Sequence, residues 1–157
     1  MKRTTIITLS LIAIGCGGST RPPHEGKSAA QLDAMLRDAD PNVQAQGALG
    51  LSRLGSEAVG SAARLMELLK SDKALVRQNA TLALGAVGAT VPGSVPALVD
   101  LLKDTVWGVR RQAAVSLGQI GASARAAIPE LKKLSKDPNS LVRKAADEAV
   151  KKIEGKS

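Results

Sequence analysis

Residues 104–121 read DTVWGVRRQAAVSLGQIG. Val109, near the start of this stretch, has counterparts at steps of 33 residues, namely Val43, Val76 and Val142. Positions 4, 8 and 11 after each valine hold small or aliphatic residues, which places them with the valine on one stripe of an α-helix. A period of roughly 20 to 50 residues is typical of a solenoid. The stretch therefore predicts one unit of a stack of about four.

Each unit has a shorter helix ahead of this one. A leucine stands 11 residues before every anchor valine, and mostly apolar residues follow three and four positions later, which predicts a second apolar stripe. Phe and Tyr are absent and Trp107 is the only aromatic residue, so the core must be built from small and aliphatic side chains. We predict an all-α solenoid of two-helix repeats over residues 28–157, with units at about 28–58, 59–91, 92–124 and 125–157.

A polar residue five positions before each valine marks the turn between the two helices. We expect it to accept hydrogen bonds from the N–H groups that open the second helix; these residues are Asp38, Ser71, Asp104 and Asp137. Glycine near the end of the second helix predicts a left-handed cap, at Gly55, Gly88 and Gly121.

The pattern Asp104-x4-Val109-Arg110-x2-Ala113-x3-Leu117-Gly118-x-Ile120-Gly121 resembles the HEAT-like repeats, including their bilin-lyase-type subgroup. The resemblance covers about residues 29–154. In that family the turn aspartate and the arginine after the valine join successive repeats. The resemblance implies such a ladder here, formed by Arg77, Asp104, Arg110, Asp137 and Arg143. Gln44 and Ser71 depart from the pattern in the first two units.

The last unit differs from the others in a way that predicts the end of the stack. Asp147, Glu148 and Lys151 stand where the earlier units have small or apolar residues. Charge at these positions is typical of a terminal repeat with no following neighbour. The apolar counterparts of Glu148 are therefore expected to pack on a neighbouring repeat and not to form a ligand surface; they are Leu49, Leu82 and Val115.

The family resemblance places a partner along the concave row of second helices. Positions 2, 3 and 10 after the valine lie outside both the core stripe and the stacking face, and they form either a solvated face or a shallow groove for a peptide; we predict partner contacts at Gln46, Arg53, Gln78, Asn79, Arg111, Gln112, Gln119, Lys144 and Lys152. Trp107 has two interpretations. It packs as its leucine neighbours do in other units, or it is an exposed anchor of the kind enriched at binding hot spots.

The N-terminus has the form of a lipoprotein signal peptide over residues 1–15. Lys2 and Arg3 precede an apolar run of residues 4–14, which is too short to span a bilayer. The run ends at Gly15-Cys16, which resembles a bacterial lipobox. We expect lipidation at Cys16, the only cysteine, and a tether over residues 16–27 in which His24 has no partner. Gly17, where aspartate would favour inner-membrane retention, favours the outer membrane or its periplasmic face in the bacterial envelope.

The sequence favours a binding module over an enzyme. It has no metal-ligand spacing, no glycine-rich phosphate loop and no Ser–His pair, so we predict no catalytic residue, no cofactor and no metal. The expected partner is a protein of unknown identity, not a nucleic acid. The net charge of +8, concentrated in the last unit, leaves open an electrostatic attachment to an anionic envelope polymer or lipid. A lyase-type enzyme is a further, weaker alternative.

Overall fold

The structure is a computed structural model that describes residues 24–156. Eight α-helices follow one another in this part of the chain, without strands between them. They are α1 (Ala29–Met35), α2 (Pro41–Leu54), α3 (Ala62–Leu68), α4 (Ala74–Val87), α5 (Ser94–Asp100), α6 (Trp107–Ile120), α7 (Ile128–Lys133) and α8 (Ser140–Glu154). The predicted signal peptide and the predicted lipidation site, Cys16, lie outside the described residues.

The helices form four pairs, each with a short first helix and a longer second helix. The second helices α2, α4, α6 and α8 pack side by side in one layer, and each first helix packs on the second helix of its own pair. Segments of 3-10 helix join the pairs at Gly55–Ser61, Gly88–Thr90 and Gly121–Ala127. The predicted all-α solenoid of four two-helix repeats is confirmed.

The predicted stripe forms the core between the two layers. Val76, Val109 and Val142 are fully buried, as are Leu84 and Leu117 eight residues after two of these valines. Val43, in the first unit, is only half-buried. The stripe is thus covered from both sides in the inner units and incompletely covered at the N-terminal end.

Neighbouring second helices approach so closely that glycine is required at the contact. A Cβ at Gly118 would lie 2.9 Å from Ala149 Cα, and a Cβ at Gly85 would lie 2.5 Å from Ser116 Cβ. Both distances are shorter than real Cβ contacts allow. At the position of these glycines the last unit has Lys151, which is exposed and which no other helix of residues 24–156 covers.

The turns and helix ends differ in detail from the prediction. Asp104 Oδ1 accepts the backbone N–H of Val106 at 2.8 Å, which belongs to the N-cap residue and not to the first turn of α6. Asp137 binds the N–H of Asn139 in the same way. Gly88 has a φ of 79° and a ψ of −161°, so it redirects the chain into a 3-10 segment and forms no left-handed cap. That cap occurs only at Gly155 among the second helices, with a φ of 73° and a ψ of 23°.

Candidate partner-binding surface

Two arginine–aspartate pairs join the last three units. Arg77 donates from Nε to Asp104 Oδ2 at 2.7 Å and from Nη2 to Asp104 Oδ1 at 2.9 Å. Arg110 donates to Asp137 in the same two-pronged way, at 2.7 and 3.1 Å. Each arginine belongs to the second helix of one unit and each aspartate to the turn of the next. These pairs fix the register of one unit on its neighbour.

The pairing changes the ionisation of both partners. Burial raises the pKa of Asp104, but the hydrogen bonds from Arg77 and from the Val106 N–H outweigh it, so the pKa lies below its usual value. The hydrogen bonds from Arg110 lower the pKa of Asp137. The same bonds raise the pKa of the arginines. The ladder therefore stays charged well into the acidic range.

The ladder is incomplete at both ends. Gln44 takes the arginine position in the first unit and donates to the carbonyl of Asp38 at 2.8 Å, and the turn of the second unit has Ser71 in place of aspartate. Arg143 in the last unit donates to the carbonyls of Asp137 and Pro138 at 2.7 and 3.1 Å. No carboxylate pairs with Arg143 among residues 24–156.

The exposed side of α2, α4, α6 and α8, which points away from the first helices, is here called the second-helix face. It contains the residues at positions −1, 2, 6 and 10 relative to each anchor valine, which lie opposite the core stripe. Leu75 and Leu141, at position −1, are 53% and 50% exposed. Side chains of this size gain most from burial, so their exposure on one face marks a surface suited to a partner.

Trp107 does not replace a packed leucine. Its side chain is 46% exposed, and the leucines at the next position in other units are exposed as well, so the packing interpretation is wrong. Trp107 begins α6 and lines a shallow groove between the turns of the third and fourth units, together with Thr105, Pro138 and Asn139. It lies at the turn-side edge of the second-helix face.

A second groove runs between α6 and α8. It is lined by Arg111, Val115, Leu141, Lys144 and Glu148. Arg111 and Lys144 are exposed, and Lys144 reaches Glu148 only at 3.9 Å. The groove therefore combines the apolar side chains of Val115 and Leu141 with the charges of Arg111, Lys144 and Glu148.

We expected Leu49, Leu82 and Val115 to pack on a neighbouring repeat and not to form a ligand surface. All three are half-buried, and Val115 lines the groove between α6 and α8. The stacking contacts are made one position earlier in the chain, where Ala48, Thr81 and Ala114 are fully buried.

Three of the predicted partner contacts are held inside the protein. Gln112 is 9% exposed and donates to Ser116 Oγ at 3.4 Å, so its assignment to the partner surface is wrong. Asn79 donates to the backbone carbonyl of Ala45 at 2.9 Å, across the junction between α4 and α2. Gln46 binds the imidazole of His24 at 2.7 Å. Position 3 after the valine therefore faces the preceding unit.

The other predicted contacts lie on or beside the second-helix face. Gln78 is half-buried near the start of α6, with its Oε1 close to Gly108. The remaining members are exposed and form no salt bridge within the described residues; they are Arg53, Gln119 and Lys152. Together with Arg111 and Lys144 they make this face basic, and Glu148 is the acidic residue among them.

His24 belongs to the folded domain, contrary to its predicted place in a tether. It is 5% exposed, and its Cβ would approach a Cβ at Gly50 to 3.0 Å. Its Nδ1 pairs with Gln46, which occupies the same position of the repeat as Asn79. Asn79 uses that position to bind the preceding unit. His24 thus occupies the site that a preceding second helix would fill, while its Nε2 is buried without a hydrogen-bond partner. The proline and glycine residues that flank it in the sequence give no indication of this burial.

Residues 24–156 contain no group of three or more His, Cys, Asp or Glu side chains placed to hold a metal ion. The described helices also include none with the length and apolar character needed to cross a membrane.

Comparison with known proteins agrees with this geometry. Residues 28–117 and 62–151 both match the sequence profile of HEAT repeats. No curated protein matches the sequence. Among solved structures, an engineered protein is 28% identical with a TM-score of 0.65, over 82% of this chain and 63% of that one.

Two further solved structures share the fold. A designed armadillo repeat protein in complex with the peptide (KR)4 is 21% identical with a TM-score of 0.68, over 80% of this chain and 64% of that one. The CpcE–CpcF complex of phycocyanin lyase from Nostoc sp. PCC7120 is 19% identical with a TM-score of 0.61, over 87% of this chain and 69% of that one. The chain thus spans less than two thirds of the length of both designed proteins.

Proposed function

This chain belongs to the HEAT repeat family, and we propose that it is a non-catalytic scaffold that binds a protein partner on its second-helix face. The observation that carries the proposal is the half-exposure of Leu75 and Leu141 on that face. Leu141 also lines the groove that contains Val115. A hydrophilic polymer gains little from apolar side chains, whereas a protein segment buries them. Apolar surface therefore favours a protein over a purely electrostatic ligand.

The charge of the face indicates the character of that segment. Arg53, Arg111, Gln119, Lys144 and Lys152 are exposed around the apolar side chains. The designed armadillo protein binds a peptide of lysine and arginine. The basic charge of this face favours an acidic segment with interspersed apolar residues.

The proposed location is the bacterial envelope, with the domain attached through lipid on Cys16. The support is the order of residues 1–16: two basic residues, an apolar run and Gly15-Cys16. Metabolic labelling with a palmitate analogue tests this directly. Label should appear in the wild type and disappear in Cys16→Ala. Equal labelling of both proteins, or label in neither, would contradict the anchor without affecting the binding proposal.

Site-specific photocrosslinking tests the binding surface. We would place a photoreactive amino acid at Val115 in the groove and, as a matched control, at Lys133 on the exposed side of α7. In cells producing the full chain, Val115 should give a discrete protein adduct that Lys133 does not give. Arg111→Glu should reduce that adduct several-fold, because it reverses a charge that lines the groove.

The alternatives predict other outcomes. Adducts of equal intensity from both positions would mean that the second-helix face is not the binding surface. An adduct with polymer or lipid alone, lost at 1 M salt, would identify an electrostatic binder, because exposed charges are screened within about 3 Å at that ionic strength. Either result would overturn the protein-scaffold proposal.

A further inference from the structure

Three arginines share one anchoring arrangement. In Arg77, Arg110 and Arg143, Nη1 donates to the backbone carbonyl six residues earlier, at 2.8, 2.8 and 2.7 Å. A second, longer bond joins each Nη1 to the following carbonyl, at 3.3, 3.3 and 3.1 Å. These bonds hold each guanidinium in one orientation against the turn of its own unit. Nε and Nη2 are left free to act together on a separate acceptor.

The acceptor is a carboxylate in the first two cases and is missing in the third. Arg77 and Arg110 each hold the aspartate of the following unit through Nε and Nη2. Arg143 makes no such contact among residues 24–156. Asp147, one helical turn further along α8, forms no salt bridge with it. Arg143 therefore presents the same donor pair without a bound carboxylate.

Anchoring to the turn does not by itself require arginine. Gln44 makes the equivalent bond to the carbonyl of Asp38 at 2.8 Å with its side-chain amide. At that first junction both the arginine and the aspartate are absent, since Ser71 stands in the next turn. At the end of the stack the arginine is present although the described chain supplies no acid for it.

We propose that Arg143 is a carboxylate-binding site, occupied by an aspartate or glutamate side chain of a partner protein that lies against the end of the last unit. On the same helix, exposed Lys144 and Lys151 accompany exposed Asp147 and Glu148, and Lys144 lies 3.9 Å from Glu148. A partner acid there would take the place that the turn aspartate of a following repeat takes on Arg77 and Arg110. This inference rests on the proposed scaffold function in one respect, namely that a partner protein supplies the carboxylate.

Nuclear magnetic resonance of the arginine side chains tests the site. The Nε–Hε signals of the full chain would be followed during titration with N-acetyl-aspartate N-methylamide at constant ionic strength. The uncharged asparagine analogue and inorganic phosphate serve as separate probes. The Arg143 signal should shift and saturate with the aspartate probe alone. The signals of Arg77 and Arg110 should not move, because their donors are already occupied.

Two variants of Arg143 and a comparison with exposed Arg111 distinguish a specific carboxylate site from nonspecific binding. Arg143→Gln should abolish the saturable binding while the Arg77 and Arg110 signals stay in place, which shows that the fold is intact. Arg143→Lys should weaken binding about tenfold, because an ammonium cannot donate in the two-pronged geometry. A shift equal to that of exposed Arg111, a response without saturation, or saturation with phosphate alone would overturn the assignment. None of these outcomes bears on crosslinking at Val115.

Discussion

The first unit leaves apolar surface on its open side, whereas the last unit covers its open side with charge. Val43 is half-buried beside Met35, in a groove that Lys27 and Gln46 also line. At the other end the equivalents of the stacking residues are Asp147 and Lys151, both exposed. His24 provides the N-terminal closure, because it fills part of the space that a preceding helix would take.

The junctions between units differ in the same direction. Two-pronged arginine–aspartate pairs join the second unit to the third and the third to the fourth. Gln44 and Ser71 leave the first junction without such a pair, and its charged contact is the longer one of Arg64 Nε with Asp33 Oδ1 at 3.5 Å. Stability in a solenoid is approximately a sum of unit and junction terms. The N-terminal unit should therefore be the least stable part of the domain.

The largest expected effect is the difference in the free energy of unfolding between a variant of an inner arginine and a variant of the terminal one. Arg110→Gln leaves the carboxylate of Asp137, only 8% exposed, without its charged partner. We expect the free energy of unfolding to fall by about 3 kcal/mol, since removing one member of a buried pair strands the other. Arg143→Gln should change it by less than about 0.5 kcal/mol, because the carbonyl bond is kept, as in Gln44. Urea unfolding measures both, and equal losses would contradict the difference between the ladder and its end.

A smaller effect compares two valines at the same position of the repeat. Val109→Ala opens a cavity at a fully buried site, and we expect a loss of about 2 kcal/mol. Val43→Ala removes a half-buried side chain and should cost less than about 1 kcal/mol. Thermal unfolding followed by circular dichroism ranks the two variants. A loss at Val43 as large as that at Val109 would show that the N-terminal end is closed after all.

The smallest expected effect is the loss of stability when the carboxylates of Asp104 and Asp137 are protonated. The pKa values of Asp104 and Asp137 are lowered in the folded protein, so their stabilisation is complete above the ordinary aspartate value of about 3.9 and is lost as the pH falls through the lower folded values. Below pH 4, protection against hydrogen exchange, corrected for the intrinsic exchange rate at each pH, should therefore fall more in α6 and α8 than in α2, relative to pH 7. Asp137→Asn keeps an acceptor for the Asn139 N–H but does not titrate, and its acid sensitivity should be weaker. An unchanged acid response would exclude Asp137 as the cause.

Much of the fold follows from the sequence because the repeat gives each position four independent observations. The anchor valines predict the stripe, and the charges at Asp147 and Lys151 predict the end of the stack. The structure also shows Arg77 and Arg110 in contact with the aspartates that the resemblance pairs with them.

The binding surface was harder to predict, because a helical stripe does not fix how neighbouring helices are rotated against one another. Gln112 and Val115 lie three residues apart, yet the first is covered by the preceding unit and the second lines a groove. His24 was missed for a related reason. Its burial depends on the open side of α2, and its local neighbours, proline and glycine, are typical of a linker.

The absence of the two-pronged arginine–aspartate pair at the first junction has a mechanical consequence. If the domain is held at its N-terminus and a partner is held on the third and fourth units, tension between them passes through the contact of α2 with α4. That junction has Gln44 and Ser71 where the others have an ion pair. It should yield first under force, so that the first unit peels away and lengthens the connection while the partner-binding units remain folded.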